Sequence, residues 1–193
     1  MAGRAANAPS VRPGGCGCQA SLDSLLPAGR GTVVSPGATP VLLALDAGVR
    51  ETGWAIFRLG RLATSGNIGA PHRGRMGAHI RVSHLLRCLD DLVEEWQPGT
   101  VAYSQPSGIH WPVPALEFLE VALVAWAKRH GLDRYTYTAQ VVRAAIAGHP
   151  NVSRDRLAYG VMARLALIGQ RKTTHEWEAI AVGSYHLQKP SSP

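Results

Sequence analysis

The chain has 193 residues, of which 46% are hydrophobic, and a formal net charge of +7. This length fits one domain of ordinary size plus a tail, and the composition is sufficient for a hydrophobic core. No apolar run approaches the roughly 18 residues that a membrane helix requires, so the sequence predicts a soluble protein with no membrane partner.

The positive charge is concentrated towards the C-terminus. Residues 128–193 contain ten Lys or Arg and four acidic residues, whereas residues 41–127 contain seven Arg and eight acidic residues. No basic amphipathic surface helix stands out, so this distribution favours nucleic acid over a membrane as the polyanionic partner. A basic surface that serves solubility alone is the alternative.

The N-terminal segment does not have the composition of a folded domain. Arg, Ala, Gly, Pro and Ser dominate residues 1–38, which we predict to be a flexible arm ahead of a domain at residues 39–189. Cys16 and Cys18 lack zinc-ligand spacing, and Cys88 fits a small core position. An odd number of cysteines without a signal sequence indicates the reducing cytoplasm.

Apolar periodicity and turn residues predict the elements in chain order. Strands are predicted at 41–46, 53–58, 61–68, 100–105 and 135–138, and helices at 76–96, 115–130, 139–148, 154–168 and 173–187. Three sequential strands followed by helical crossovers indicate an α/β fold with a mixed sheet.

Asp46 ends the first buried strand and is the first candidate for chemistry. A charge at the end of a buried strand is costly unless it is paired or bound to a cation. The alternative is a turn aspartate that bonds nearby backbone N–H groups. Ligands collect beyond strand ends where the topology of a sheet switches, so the end of strand 100–105 is expected beside Asp46.

The segment Leu45-Asp46-Ala47-Gly48-Val49-Arg50-Glu51-Thr52-Gly53-Trp54 resembles the opening motif of the RuvC family of Holliday junction resolvases. The similarity covers roughly residues 41–188. It continues through Val101-Ala102-Tyr103-Ser104-Gln105, Ala139-Gln140-Val141-Val142-Arg143, the helix start at Ser153-Arg154-Asp155-Arg156-Leu157 and the segment His175-Glu176-Trp177-Glu178. The resemblance implies a ribonuclease H-like fold, with a mixed five-stranded sheet and helices on both faces.

The resemblance also implies a metal site. The family uses four side chains to hold two Mg²⁺ ions at a scissile phosphate. Asp46 matches the first carboxylate, and His175 and Glu178 fall where the family carries two acids, the first of them sometimes a histidine. Their i, i+3 spacing puts both on one helix face, although a solvated surface is the alternative for each. The implied catalytic and metal-binding residues are therefore Asp46, His175 and Glu178, with Mg²⁺ or Mn²⁺ as cofactor.

Ser104 departs from the family, which carries a glutamate at this position. A neutral hydroxyl is a poor ligand for a hard dication. Gln105 is not a substitute, because successive strand residues point to opposite faces. Glu51, Glu117 and Glu120 are other candidates for the missing carboxylate, and nothing in the sequence places any of them there.

The resemblance places basic residues near the DNA backbone. Arg143 and Arg154 match such positions, and Arg156 and Arg164 extend this cationic flank, since Arg is suited to bidentate phosphate contacts. Trp111, in a Pro-rich loop, is a candidate for stacking on an unpaired base. Packing of Trp111 on the domain is the alternative.

Three functions follow as hypotheses. The first is a RuvC-like, metal-dependent endonuclease that resolves Holliday junctions in DNA recombination, as a homodimer because two symmetric cuts are implied. The second is a RuvC-like subunit with impaired cleavage that binds nucleic acid within a larger nucleoprotein complex, which the Ser104 substitution favours. The third, a sugar-kinase-like ATPase, needs a second phosphate loop and domain for which this chain is too short.

Overall fold

The structure is a computed structural model that describes residues 19–20, 41–70, 77–105 and 113–189. The strands are β1 (Gln19–Ala20), β2 (Leu42–Asp46), β3 (Glu51–Arg58), β4 (Arg61–Gly69), β5 (Thr100–Gln105) and β6 (Asp133–Thr138). The helices are α1 (Ala78–Trp96), α2 (Pro114–Arg129), α3 (Ala139–Ala147), α4 (Arg154–Leu165) and α5 (Thr174–Gln188).

The strands form one mixed sheet in the order β1-β4-β3-β2-β5-β6. Strands β2, β3 and β4 make an antiparallel meander, whereas β5 runs parallel to β2 and β6 runs parallel to β5. Each parallel connection runs through a helix, as crossover connections require. The predicted five-stranded sheet is confirmed as β2 to β6, and the two residues of β1 pair with β4 at its edge.

Helices cover both faces of the sheet, as predicted. Alternating strand residues enter two hydrophobic clusters, so that Leu43 and Leu45 pack with α1 and α2, while Leu42 and Ala44 pack with α3, α4 and α5. Period-two alternation therefore places Asp46, at the end of the same strand, on the α5 face. Cys88 lies fully buried in the α1 cluster, as predicted.

Helix α5 lies at the centre of its layer. Its residues from Glu176 to Ser184 are all buried, as expected of a helix that is enclosed on every side. Close packing on the sheet requires glycine, because a Cβ at Gly183 would lie 2.1 Å from the ring of Phe57. The sheet therefore holds α5 along its length.

Three predicted boundaries were wrong by a few residues. Strand β6 begins at Asp133 because this edge strand pairs through its backbone while its first side chains stay exposed, which hides it from an apolar pattern. Strand β3 begins at Glu51, two residues early, since Glu51 and Thr52 continue the ladder with β4. Helix α4 ends at Leu165, where Ala166 adopts a left-handed cap that bonds Met162.

Some predictions lie outside the described residues. Trp111 and its Pro-rich loop are among these, as is the proposed arm at residues 1–38 apart from Gln19 and Ala20. Within the described parts of the chain, every helix is too short or too polar to cross a membrane.

Candidate active site

Two parallel strands end side by side at the candidate site. Asp46 of β2 is paired in register with Ser104 of β5. The Ser104 hydroxyl donates a hydrogen bond of 2.7 Å to Oδ1 of Asp46, although the two residues are 58 positions apart in the sequence. The site therefore lies at the strand ends where the topology of the sheet switches, as predicted.

A tight connection between β2 and β3 fixes the position of Asp46. A Cβ at Gly48 would lie 2.4 Å from the backbone oxygen of Glu51, so only glycine fits this turn. The Thr52 hydroxyl donates to the Gly48 carbonyl at 2.8 Å and accepts from the Gly48 N–H at 3.2 Å. These bonds close the hairpin directly after Asp46.

The first turn of α5 is packed against β3 opposite Asp46. Gly53 pairs with Asp46, and a Cβ at Gly53 would lie only 1.9 Å from the carbonyl oxygen of His175. This close approach lets Nδ1 of His175 reach Oδ2 of Asp46 at 2.6 Å. A carboxylate at the N-terminus of a helix is also favoured by the helix dipole.

A buried polar network anchors the same turn of α5. Thr173 and Glu176 form the predicted capping box, and Glu176 also accepts a hydrogen bond of 3.2 Å from the Ser65 hydroxyl of β4. The Lys172 ammonium donates to Ser65 at 2.8 Å and lies 3.9 Å from Glu176, and both charged side chains are almost fully buried. These contacts fix the backbone that carries His175.

Glu178 lies one turn further along α5 and is held by two arginines. Arg143 of α3 donates to Oε1 of Glu178 at 2.9 Å, and Nε of Arg154 in α4 lies 3.3 Å from the same oxygen. The Glu178 side chain is 11% exposed, whereas that of Arg154 is 58% exposed. The cationic flank therefore meets the acidic residues at Glu178.

The acidic surroundings shift two pKa values. The hydrogen bond to Asp46 raises the pKa of His175 against the effect of burial, and the charges of Asp46, Glu51 and Glu178 act in the same upward direction. Burial raises the pKa of Glu178, as does the charge of Asp46, while Arg143 and Arg154 oppose the shift. His175 and Glu178 thus hold their protons more tightly than the free side chains do.

The structure brings Asp46, His175, Glu178, Arg143 and Arg154 together with Ser104. Arg156 belongs to the same helix as Arg154 and is exposed, without a described contact to the acids. The three glutamates considered as replacements, Glu51, Glu117 and Glu120, lie at different positions.

Glu120 and Glu117 do not supply the missing carboxylate. Glu120 accepts hydrogen bonds of 2.9 and 2.8 Å from Gln105, which points to the face of the sheet opposite Ser104. Glu117 is exposed on α2, which packs on that opposite face. These contacts agree with the prediction that Gln105 does not replace the missing carboxylate.

Glu51 is the nearest additional carboxylate. Its Oε2 lies 3.9 Å from Nε2 of His175, on the side of the ring away from Asp46, and Asn67 donates a hydrogen bond to its other oxygen. The sequence alone did not distinguish Glu51 from Glu117 and Glu120. The one signal in its favour was its position in the short connection after Asp46, at the start of β3. Reasoning from the sequence also missed Lys172 and Ser65, since a buried lysine has no local pattern.

The donor set, as arranged, does not form a site for a pair of divalent cations. The family pair of Mg²⁺ ions needs four ligands, and here a hydroxyl replaces one carboxylate while both guanidiniums engage Glu178. Among the described residues, no three His, Cys, Asp or Glu side chains are arranged to share an ion. Two carboxylates and an imidazole are ligand types that Mn²⁺ accepts, but Glu178 is engaged by Arg143 and Arg154 in this structure.

Solved structures define the class of this fold. A Thermus thermophilus RuvC structure matches with a TM-score of 0.63 and 20% identity over 76% of this chain and 92% of that chain. T. thermophilus RuvC in complex with a Holliday junction substrate matches with a TM-score of 0.65 and 19% identity over 77% of this chain and 93% of that chain. No protein-family profile matches the sequence, and no curated protein does.

The chain therefore has the RuvC form of the ribonuclease H-like fold, as the sequence motifs predicted. At this level of identity the likeness establishes the fold, and activity rests on the residues of the site.

Proposed function

We propose that this chain is a RuvC-like endonuclease that acts on branched DNA and resolves Holliday junctions. The observation that carries the proposal is the contact between His175 and Asp46, which joins the first strand to the last helix at 2.6 Å. Glu178 lies one turn from His175, and two arginines adjoin it. Acidic ligands beside phosphate-binding groups are what phosphodiester hydrolysis at a metal site requires.

Asp46, His175 and Glu178 are the residues that would hold a divalent cation. A bound cation would acidify water and neutralise charge on a phosphate oxygen. The residues of the chain orient this chemistry: Asp46 fixes the ring of His175 through Nδ1, and Ser104 fixes the carboxylate of Asp46. Mn²⁺ is expected to serve better than Mg²⁺ because of the imidazole ligand.

The cationic flank supports DNA as the substrate. Arg143, Arg154 and Arg156 lie on the two helices that border the acidic residues. Guanidinium groups bind phosphate oxygens bidentately and set the register of the duplex. One of the similar structures is a RuvC bound to a Holliday junction, which supports a branched substrate in particular. Trp111 remains a candidate for contact with an unpaired base.

The outer face of α2 supports a homodimer. Phe118, Val121 and Val124 follow helical spacing and are exposed, Val121 by 68%. Glu117 and Lys128 lie near the two ends of this apolar stripe, where an antiparallel copy would bring opposite charges together. A two-fold axis through this face would give one active site for each of two symmetric cuts.

A second candidate function rests on the state of the acids. Ser104 offers a hydroxyl where a metal ligand is expected, and Glu178 is neutralised by Arg143 and Arg154. These contacts favour a RuvC-like subunit that binds branched DNA within a larger nucleoprotein complex and cleaves it poorly.

Incubation of a labelled four-way junction with the protein in Mg²⁺ and in Mn²⁺ separates the two functions. Symmetric nicks in Mn²⁺ that disappear with EDTA support the endonuclease. Tight junction binding without nicks in either metal supports the binding subunit.

A further inference from the structure

In the DNA-free protein, the Glu178 carboxylate pairs with both Arg143 and Arg154. Both guanidiniums converge on the single oxygen Oε1, at 2.9 Å from Arg143 and 3.3 Å from Arg154. Within the described residues, the Nε–H of Arg143 is buried and has no hydrogen-bond partner. This buried donor of Arg143 is therefore unused, so the single oxygen of Glu178 does not satisfy the guanidinium fully.

When substrate binds, Glu178 and the two arginines each have another partner to contact. A phosphate of DNA needs the arginines, and a cation beside Asp46 and His175 needs the carboxylate of Glu178. A phosphate offers several acceptor oxygens, so it can fill the fork of Arg143 more completely than Oε1 does. Arg154 is exposed and can meet a phosphate that approaches from solvent.

Glu178 cannot leave the arginines without a replacement partner. Its side chain is buried, and without the arginines its unpaired carboxylate would face the nearby charge of Asp46. Two buried carboxylates in one site are costly unless a cation compensates them. Departure of Glu178 from the arginines is therefore favourable only when a cation is at hand.

We infer that a DNA phosphate displaces Glu178 from Arg143 and Arg154, and that the released carboxylate then completes the cation site with Asp46 and His175. Phosphate and cation thus bind cooperatively through an exchange of partners at one carboxylate. This inference rests on the proposed function, since it concerns the same site. It adds that DNA binding assembles the cation site, so that free protein binds the cation weakly.

The first test uses the unmodified protein. The Mn²⁺ affinity is measured by electron paramagnetic resonance at low temperature, without DNA and with a saturating four-way junction. The junction affinity is measured by fluorescence anisotropy with and without Mn²⁺. Thermodynamic linkage requires the two affinities to rise by the same factor, which we expect to be about tenfold. The Glu178→Gln protein corrects for Mn²⁺ bound by the DNA itself and should show no such coupling.

The second test is a mutant cycle in the absence of DNA. Replacing Arg143 and Arg154 with Gln should raise the Mn²⁺ affinity about tenfold, because Glu178 is then free. Arg129→Gln is a control for the loss of a positive charge: it removes one charge from α2, where Arg129 contacts Asp90 instead of Glu178. Circular dichroism identifies any variant that fails to fold, in which case the measurement on unmodified protein decides.

If the arginines weaken Mn²⁺ binding only through their charge, replacing them should raise the Mn²⁺ affinity in the Glu178→Gln protein as well. The exchange of partners predicts that this rise in affinity disappears in the Glu178→Gln protein. A gain that persists in that background, or equal Mn²⁺ affinity with and without the junction, would overturn the inference. Cooperative Mn²⁺ binding without nicking would contradict the endonuclease function and leave the exchange standing. Nicking without cooperative Mn²⁺ binding would support the endonuclease function and overturn the exchange.

Discussion

Ser104 donates a hydrogen bond of 2.7 Å to Asp46 across two parallel strands that end at the candidate site. A hydroxyl at this position offers Asp46 a hydrogen-bond donor. A glutamate at the same position would place two carboxylates side by side, which requires a cation between them. With Ser104 in place, protein groups alone satisfy both oxygens of Asp46.

Ser104→Glu should make stability depend on the cation. Without metal, the variant loses a hydrogen bond to a charged group and gains a like-charge contact, so we expect the free energy of unfolding to fall by about 2 kcal/mol. Mn²⁺ should restore the melting temperature, and it should bind more tightly than to the unmodified protein. Thermal melts with and without Mn²⁺ measure both effects.

Ser104→Ala is the control for that comparison. It removes the hydrogen bond without adding charge, so its melting temperature should fall and Mn²⁺ should not restore it. Equal rescue of both variants by Mn²⁺ would show that the position does not face the cation.

The sequence predicted the strands and helices wherever local chemistry decides them. Alternating apolar residues fixed β2, and Thr173 with Glu176 predicted the start of α5 through the capping box. The edge strand β6 was predicted too short because its exposed residues, such as Asp133, carry no apolar signal. Pairing of backbones across a sheet is decided by tertiary context.

The site was only partly predictable. The resemblance placed Asp46, His175 and Glu178 together, but it did not reveal that Arg143, 35 positions away, occupies Glu178. Helical spacing predicts which face of a helix carries a side chain, but it does not predict which residue of another element that side chain contacts. The burial of Lys172 was equally hidden, because Ser65 is 107 positions away in the sequence.

The cationic flank should determine how salt affects DNA binding. Replacing Arg143 and Arg154 with Ala should weaken junction binding and lower the slope of log affinity against log salt by about one unit per lost phosphate contact. Anisotropy titrations over a range of salt concentrations measure the slope. Arg129→Ala serves as a charge control, because Arg129 lies on α2 and pairs with Asp90. An unchanged slope in the double variant would remove the DNA-facing assignment of the flank.

Stability should depend on pH through His175. Its folded pKa lies above the ordinary value of 6.5 because of the hydrogen bond to Asp46, assisted by the charges of Asp46, Glu51 and Glu178. The stabilisation is therefore fully present below about pH 6.5 and is lost as the pH rises through the raised folded pKa. Urea unfolding of the unmodified protein should show this loss as the pH is raised above the ordinary histidine value of about 6.5.

His175→Gln provides the reference for the pH experiment. Other groups also make stability depend on pH. Burial lowers the pKa of His186, so its contribution to the free energy of unfolding falls as the pH drops below the ordinary histidine value. Burial raises the pKa of Glu178, whose contribution changes in the acid range. Subtracting the variant from the unmodified protein leaves the His175 contribution. A difference that does not change with pH would contradict the assigned contact.

The apolar stripe on α2 should hold the homodimer together. Val121→Asp places a charge in the middle of the stripe, so the protein should become monomeric in size-exclusion chromatography with light scattering. Val141→Asp is the matched control, because Val141 is also exposed but lies on α3. Identical masses for the unmodified protein and both variants would count against this interface.

The central claim is that Asp46 organises a cleavage centre that is distinct from the DNA-binding flank. The most direct measurement compares the unmodified protein with Asp46→Asn on one labelled four-way junction in Mn²⁺, scoring nicking and binding together. The amide keeps the size of the side chain and removes its charge, so nicking should be abolished while junction affinity is retained. Equal nicking by both proteins, or no nicking by either, would contradict the account.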